Sequence, residues 1–429
     1  MADYFKKLPP ELKNIIVQAA KVSRETGMPA YLVGGCLRDL ILGVPNLDLD
    51  IAVEGDGIIF ARRLCGELKS ALTVHERFRT ATLSLPGGLK LDVATARRES
   101  YPAFASLPVV RPGPLAEDLK RRDFTINAMA VNIAGGKRDL IDPFGGRKDL
   151  SARRIRILHD LSFKEDPTRI LRAVRFSRRF RFRIESKTLL LMKEALKEGW
   201  LEKVTPHRLR DELVLMLKEK DVPGQLKTLS VLRGLDFIGA GLKFTPEAEA
   251  LLKTAACRIL WFEKNFPLRR RLDTWLVYFI LLLDPFSPSQ RRKAVLRLGL
   301  RKGEEKRIFS YYRLRGRLTV SLSKKGLKPS KIFSLLEPLS YETIISFSAS
   351  CRNKAAREYL ADFFEVYNGM RLCVSGKDLG GLGLSPGPQY RRIFTRVLTA
   401  KLNGKLSNRR MELALIKKLA EKAKNERSR

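Results

Sequence analysis

An α/β N-terminal unit followed by a mainly α-helical remainder is the fold class that this sequence predicts, and three observations carry it. An apolar strand pattern at 31–33 runs into Gly34-Gly35 and a helical stretch, then into a second strand pattern, 47–53, in which apolar residues alternate with Asp48 and Asp50. Two more strand patterns, 72–85 and 89–95, flank the turn signature Pro86-Gly87-Gly88. After about residue 150 the period-2 alternation gives way to apolar residues recurring every 3.6 positions.

Taken in order, the first element expected is a helix over 14–22. Gly34-Gly35 then lets the chain turn tightly and present bare backbone N–H groups to phosphates, with Arg38 one helical turn further on. Across 47–53, Leu47, Leu49, Ile51 and Val53 occupy odd positions, so Asp48 and Asp50 share the other face. Two residues of strand separate their Cα atoms by roughly 6–7 Å. That spacing lets both carboxylates converge on divalent cations, which two-metal sites hold about 3.5–4 Å apart. Magnesium suits such hard oxygen ligands, with phosphates and water completing its shell. A lone Asp-x-Asp is more often an edge strand with two solvated acids; the glycine turn and Arg38 make the stretch a coherent phosphate and metal site.

An apolar segment is expected over 124–133, before Gly135-Gly136. The stretch 97–117, with Pro102, Pro108, Pro112 and Pro114 and no clear period, reads as a loop over the sheet. Helical periodicity follows at 170–182, 189–196, 209–217, 272–283 and 411–423. It is punctuated by Pro267, Pro285, Pro288, Pro329, Pro338, Pro386 and Pro388. Residues 422–429 are charged and expected to fray.

With 429 residues the chain can bury a large core and divide into two to four domains. Its formal net charge of +37 far exceeds what solubility requires, so a polyanionic partner is expected, with nucleic acid ahead of an anionic membrane surface. The longest apolar run, 275–283, is too short to span a bilayer, and no signal-peptide pattern opens the chain. Five scattered cysteines (Cys36, Cys65, Cys257, Cys351, Cys373) and three histidines make no ligand cluster, which reads as reduced thiols in a cytoplasmic protein without structural zinc.

Downstream come Arg121-Arg122-Asp123-Phe124-Thr125-Ile126-Asn127-Ala128-Met129-Ala130, then Asp142-Pro143-Phe144-Gly145-Gly146-Arg147-Lys148-Asp149-Leu150, then Glu165-Asp166-Pro167-Thr168-Arg169. With the opening glycine and acid motif, in this order, they closely resemble the bacterial class II tRNA nucleotidyltransferases, which share a superfamily with bacterial poly(A) polymerases. The resemblance is strong from about residue 30 to 215. It implies a polymerase-β-like nucleotidyltransferase head over 1–140 and a helical neck with base recognition over 141–215. A helical body over 216–330 and a helical, tRNA-binding tail over 331–429 would follow.

The resemblance further implies nucleotidyl transfer from CTP and ATP to a tRNA 3′ end, with Mg2+ as cofactor and Asp48 and Asp50 as catalytic metal ligands. Asp92, in Leu91-Asp92-Val93, is either a third metal ligand or an ordinary exposed acid. Gly34, Gly35 and Arg38 fall on the nucleotide side. Arg122 and Asp123 match the family's ribose-contacting pair, with Arg121 and Asn127 as weaker candidates. The stretch 142–156 resembles the hinge between head and neck, its Gly145-Gly146 absorbing rotation; a plain turn before a helix is the other reading.

Asp166 and Arg169 match a pair that serves this family as a protein template. An arginine donates to N3 and O2 of cytosine or N1 of adenine, and a carboxylate accepts from the exocyclic amino group of either base. Guanine and uracil present the opposite pattern. Asp166 before Pro167 is also a good N-cap, and a capped first turn is a sound mount for base-reading side chains. Arg172 and Arg175 are expected to contact nucleotide, within an arginine face that also holds Arg178, Arg179, Arg181 and Arg183 and reads as turned towards phosphates. In His207-Arg208-Leu209-Arg210-Asp211-Glu212-Leu213, His207 stands where the family usually has glutamate, and Arg208 and Glu212 are the residues expected to matter. The C-terminal stretch 374–379, the turn 383–388 and Arg391-Arg392 look like the family's tRNA-facing tail.

Complete CCA addition is the activity expected first, then CC-only or A-only addition, then poly(A) synthesis, then non-catalytic RNA binding. Poly(A) polymerases of this kind typically carry a basic Gly-Arg-Arg-Phe-like signature after the acidic strand. Here that region reads His75-Glu76-Arg77-Phe78-Arg79-Thr80. The sequence does not speak to oligomeric state.

Overall fold

The computed structural model describes residues 5, 8–44, 48–135 and 139–425; Leu47, Gly136 and residues 426–429, on which parts of the sequence reading fall, lie outside them. The chain divides into two compact units, Met1–Lys243 with Arg297–Gly299, and Phe244–Leu296 with Leu300–Arg429.

The first unit opens with α1 (Pro10–Thr26), β1 (Ala30–Val33), α2 (Gly34–Leu42), β2 (Asp48–Val53), α3 (Gly57–Leu68), β3 (Ala71–His75), β4 (Thr80–Ser84) and β5 (Lys90–Thr95). Next come β6 (Arg97–Ser100), β7 (Val109–Pro112), α4 (Leu115–Lys120), β8 (Ala130–Asn132), β9 (Leu140–Ile141), α5 (Gly146–Ser151) and β10 (Arg154–Ile155). The unit continues through α6 (Ser162–Glu165), α7 (Thr168–Phe180), β11 (Arg183–Ile184), α8 (Ser186–Lys197), α9 (Pro206–Leu217) and α10 (Val222–Val231). Seven strands form one sheet in the order β3-β4-β5-β2-β1-β8-β9. All its neighbours are antiparallel except β2 and β5, which run parallel.

Each early element follows from its pattern. Proline at the first position of α1 forfeits an N–H that has no helical partner, Leu12, Ile15, Ile16 and Ala19 form its buried stripe, and Gly27 ends it in the left-handed region. In β2, Leu49, Ile51 and Val53 are buried while Asp48 is exposed and Asp50 half-buried, as alternation demands. Asp56 caps α3 by accepting from the amides of Ile58 and Ile59 at 2.9 and 3.0 Å.

Two expectations change. The strand expected over 72–85 is two strands, because the polar run His75-Glu76-Arg77 makes a short 3-10 turn, Glu76–Phe78, and Arg79 turns the chain with φ of +50°. The stretch expected to be a structureless loop holds the two-stranded ladder β6–β7 and the start of α4. Its prolines fall where strands and helices tolerate them: Pro102 and Pro108 in the connection, Pro112 at the end of β7, and Pro114 just before α4.

The second unit is helical. Trp275 to Leu282 are buried throughout Thr274–Leu282, so this helix is its core. The fully buried Glu342 is held by Arg270 at 2.8 and 2.9 Å, Arg307 at 3.3 Å and the amide of Asp273 at 3.1 Å. A C-terminal cluster gathers Val374, Leu379, Leu384, Ile393, Val397 and Ile416. Ser375 and Asp378 form a capping box at Gly376–Gly381, and Arg391, Arg392 and Arg396 are exposed on Pro388–Leu402. Among the described residues no helix is long and apolar enough to cross a membrane.

Candidate active site

The sheet sets the acids. The parallel register pairs Asp50 with Asp92 across β2 and β5 and brings Asp48 opposite Lys90. Thr82, the next partner across β4, donates to Asp92 Oδ1 at 2.6 Å. Burial raises the Asp50 carboxyl to about 6, with the charges of Asp92 and Asp48 adding to the rise and Arg122 and Arg38 opposing it. A carboxylate so placed gains from a nearby divalent cation. Among the described residues no set of three His, Cys, Asp or Glu side chains closes around one ion position. Two hard carboxylates on one face, one of them destabilised by like charge, nevertheless fit magnesium, which completes its shell with water and phosphate. Asp48 and Asp50 are the residues that would hold it.

Beside these acids the chain leaves β1 through Gly34, whose φ is +70°. A Cβ there would lie 2.7 Å from Arg122 Nη1 and 3.4 Å from Asp50 Oδ2, so glycine brings the backbone alongside both. Arg38 differs from the open phosphate contact expected of it. It is 4% exposed, donates to Asp39 Oδ1 and to Asn127 Oδ1, both at 2.7 Å, and lies 4.6 Å over the Phe180 ring and 5.3 Å over that of Phe176.

Arg122 donates to Asp118 Oδ2 at 2.8 Å and to the Asn127 carbonyl at 3.4 Å, while its Nε is buried without an acceptor. Asp123 takes four donors. Phe124 N and Asn127 Nδ2 reach Oδ1, both at 2.8 Å, and Arg172 Nε and Nη2 reach Oδ2 at 2.8 and 2.6 Å. Burial alone would raise this carboxyl, but Arg172 and the bonds to it outweigh burial and hold it down at about 2. Four donors use the four lone-pair positions of a carboxylate, which leaves the ribose contact expected of the pair to Arg122.

The arginine face of α7 also corrects an expectation. Arg172 and Arg175 reach Glu212 at 3.0 and 3.4 Å, Arg178 reaches Asp221 at 2.5 Å, and Arg179 pairs with Glu219. Acids of 212–221 therefore neutralise most of the face that looked turned to phosphates, and Arg181 and Arg183 remain exposed.

At the start of α7, Asp166 Oδ1 accepts from Thr168 N at 3.1 Å, Thr168 Oγ1 at 2.5 Å and Arg208 Nη2 at 2.7 Å. The first of these is the bond an N-cap makes. With Oδ1 filled, Oδ2 is the oxygen left to accept. Arg169 is buried and fixed by donating to Ser162 Oγ and to the Arg121 carbonyl, both at 2.7 Å. Arg208 also donates to the carbonyls of Ala105 and Ser106 at 3.4 Å, so it ties the β6–β7 connection to Asp166.

One cavity of about 820 Å3 collects Gly34, Gly35, Arg38, Asp50, Arg122, Asp123, Asn127, Asp166, Arg169, Arg172 and Arg175. Asp48 and Asp92 do not line it. Asp92 is exposed, and its Oδ1 is engaged by Thr82. Sequence reasoning missed Asp118, whose buried carboxylate binds Arg121 and Arg122, and Glu99, which binds Arg97 and Arg121 at 2.9 and 3.1 Å. The spacing of Asp118 three and four residues before Arg121 and Arg122, across the end of α4, was a readable signal. Glu99 gave none, because its strand was not seen. The Gly145-Gly146 turn is packed tightly: Asp142 accepts from the amides of Gly146 and Arg147 at 2.6 and 2.9 Å, and a Cβ on Gly146 would meet the Thr125 carbonyl oxygen at 2.2 Å.

A mixed sheet with acids on its central parallel pair, entered through a strand, a glycine turn and a helix, defines a nucleotidyltransferase head. A match to the Poly A polymerase head domain spans residues 30–156. The A-adding tRNA nucleotidyltransferase of Geobacter sulfurreducens is 37% identical over 423 residues, 97% of this chain and 48% of that protein. The chain thus spans about half of that relative's length. The A-adding tRNA nucleotidyltransferase of Halalkalibacterium halodurans is 31% identical over 406 residues, 93% of this chain and 89% of that one. Among solved structures, an apo form of a CCA-adding enzyme superposes with a TM-score of 0.75 at 33% identity, covering 95% of this chain and 96% of the other. The chain belongs to the tRNA nucleotidyltransferases that carry the poly(A) polymerase head.

Proposed function

We propose that this chain extends the 3′ end of tRNA without a nucleic-acid template, and that its step is addition of the terminal A from ATP. The observation that carries nucleotidyl transfer is that one cavity is lined by Asp50 and by Asp166 with Arg169. Its volume, about 820 Å3, suits a nucleotide. In this reading the free Oδ2 of Asp166 accepts the exocyclic amino group of adenine, and Arg169 donates to N1. Ser162, Thr168 and Arg208 fix both side chains before the base arrives, so discrimination costs little ordering on binding. Arg122 holds ribose or phosphate with its unpartnered Nε beside it. Magnesium on Asp48 and Asp50 would supply activation of the 3′-hydroxyl and charge stabilisation of the departing pyrophosphate; the charge of Asp92 on the neighbouring strand disfavours ionised Asp50 and so strengthens its need for a cation. Five free cysteines among the described residues are in keeping with a cytoplasmic enzyme.

Terminal A addition is favoured over the complete tail by the names of two A-adding relatives that align along 97% and 93% of this chain with 37% and 31% identity, whereas relatives named CCA-adding enzyme align along 89% and 91% of it with 31% and 28% identity. Complete CCA addition, first in the sequence reading, is the second alternative and is favoured by the superposition on a CCA-adding enzyme. The test is to incubate the protein with magnesium and tRNA transcripts ending before the tail, after C and after CC, giving CTP and ATP separately and together. Extension of the CC-ending transcript alone, by one A, supports the first reading. Growth by three residues and arrest supports the second, and no extension removes both. Arg169→Ala should blur nucleotide choice more than it weakens triphosphate binding; unchanged selectivity would remove the base-reading role.

A further inference from the structure

We propose that Phe78, braced by Arg77, is the platform on which the terminal base of the acceptor RNA stacks. The inference rests on the tRNA-extending reading above.

Phe78 closes the 3-10 turn Glu76–Phe78 between β3 and β4 and is 57% exposed. Phe78 lines the cavity that contains Asp50. The turn is not a free loop. Arg79 adopts the left-handed conformation that side chains enter at a cost of roughly 1 kcal/mol. Its N–H donates to the Glu76 carbonyl at 3.1 Å, and its own carbonyl accepts from Thr95 N at 3.1 Å. The end of β5 therefore pins the turn, and Phe78 is mounted on the sheet that carries Asp50 and Asp92.

The other aromatic rings of the cavity are engaged. Tyr101 is tied to Glu99 through its hydroxyl at 3.2 Å. Phe176 lies under the guanidinium groups of Arg38, Arg172 and Arg175 at 5.3, 5.4 and 4.8 Å. Among the described residues Phe78 has Arg77 as its ring partner, 5.8 Å from its ring centroid. Among the described residues Arg77 makes no ion pair or hydrogen bond, so its charge is open to a phosphate. An exposed aromatic ring with a basic neighbour is the pairing that binds single-stranded nucleic acid, base on ring and phosphate on cation. Stacking tolerates any base. That property suits an acceptor end, which has to be held in place and not chosen, whereas a hydrogen-bonding reader such as Asp166 with Arg169 suits the nucleotide that has to be selected. The two recognition modes thus divide between the two substrates: selective pairing for the incoming nucleotide, indifferent stacking for the RNA that receives it.

The test measures kcat and KM with a tRNA transcript ending in CC and ATP, for the wild type, Phe78→Ala, Phe78→Leu and Phe78→Tyr. The platform predicts that Phe78→Ala raises the KM for RNA about 5- to 150-fold, the fold-change that corresponds to stacking one base, with the KM for ATP within about twofold. Leucine, which keeps apolar bulk but cannot stack, should behave as alanine, and tyrosine as phenylalanine. A transcript with an abasic last residue should cost the wild type the same factor and cost Phe78→Ala nothing more. Leucine restoring the wild-type KM would make Phe78 a packing residue and overturn the inference, as would an additive loss with the abasic transcript. If the wild type extends no transcript, the tRNA reading falls and takes the platform with it; if the wild type extends and Phe78→Ala matches it, the platform alone falls.

Discussion

Asp50 and Asp123 lie on the same cavity with carboxyls displaced in opposite directions, to about 6 and about 2. For Asp50 the ionised form is the costly one in the folded protein, so its penalty is absent below the ordinary carboxylate value and grows as pH rises through about 6. A bound cation relieves that penalty and must displace the proton to do so. Apparent magnesium affinity should therefore fall by up to about tenfold per pH unit below about 6, read from magnesium titrations of activity between pH 5 and 8; a flat dependence would contradict the ligand role. Asp50→Asn should abolish transfer while leaving the melting temperature unchanged or raised, because it removes a like-charge contact. Asp123 has the opposite sign. Its stabilisation, about 2 kcal/mol, is present above pH 4 and lost as pH falls towards 2, so Asp123→Asn should flatten the acid unfolding profile in that window. Most of these residues were legible from their order in the sequence, since Asp48, Asp50, Arg122, Asp166 and Arg169 all lie in local motifs. What sequence could not tell was who already holds them: the saturation of Asp123, and of one Asp166 oxygen by Arg208, depends on residues about 40 to 50 positions away.

Between residue and molecule, the turn before α5 shows how an element can be set by a missing side chain. Gly146→Ala would drive a Cβ to 2.2 Å from a backbone oxygen that cannot rotate away, and should destabilise by roughly 2–3 kcal/mol. Gly66, within α3, meets nothing within 4 Å, so Gly66→Ala should be neutral or stabilising by up to about 1 kcal/mol. Thermal denaturation of the two variants checks both, and equal melting temperatures would show that the turn yields. Long amphipathic stretches such as α7 were legible because their period repeats over many residues. The β6–β7 ladder was not, because four prolines in 97–117 imitate a loop, and only the pairing of the two strands shows that Pro112 ends one of them while Pro102 and Pro108 lie in their connection and Pro114 precedes α4.

For the molecule as a whole the excess of positive charge is the governing quantity. A net +37 directed at RNA implies counterion release, and neutralising six to ten phosphates costs about 10³–10⁵ in affinity between 50 and 200 mM salt. Binding of tRNA should follow a steep log–log dependence, and replacing Arg391, Arg392 and Arg396 by alanine should lower its slope by up to about three. A slope that the triple replacement leaves intact would move the contact surface elsewhere. The charge was evident from composition. Its distribution was not, since most arginines of α7 are spent on acids and those of Pro388–Leu402 remain exposed.

The sheet order has a consequence for how the chain acquires its activity. β3, β4 and β5 are successive and pair with their sequence neighbours, so they can zip locally. β2 must close a loop of some forty residues to lie beside β5, and that closure is entropically slow and works against the repulsion of Asp50 and Asp92. The acids on the two strands thus come together only when the last central strand docks. During refolding, recovery of catalysis should lag behind recovery of helical circular dichroism, and magnesium, by screening the two carboxylates, should shorten the lag.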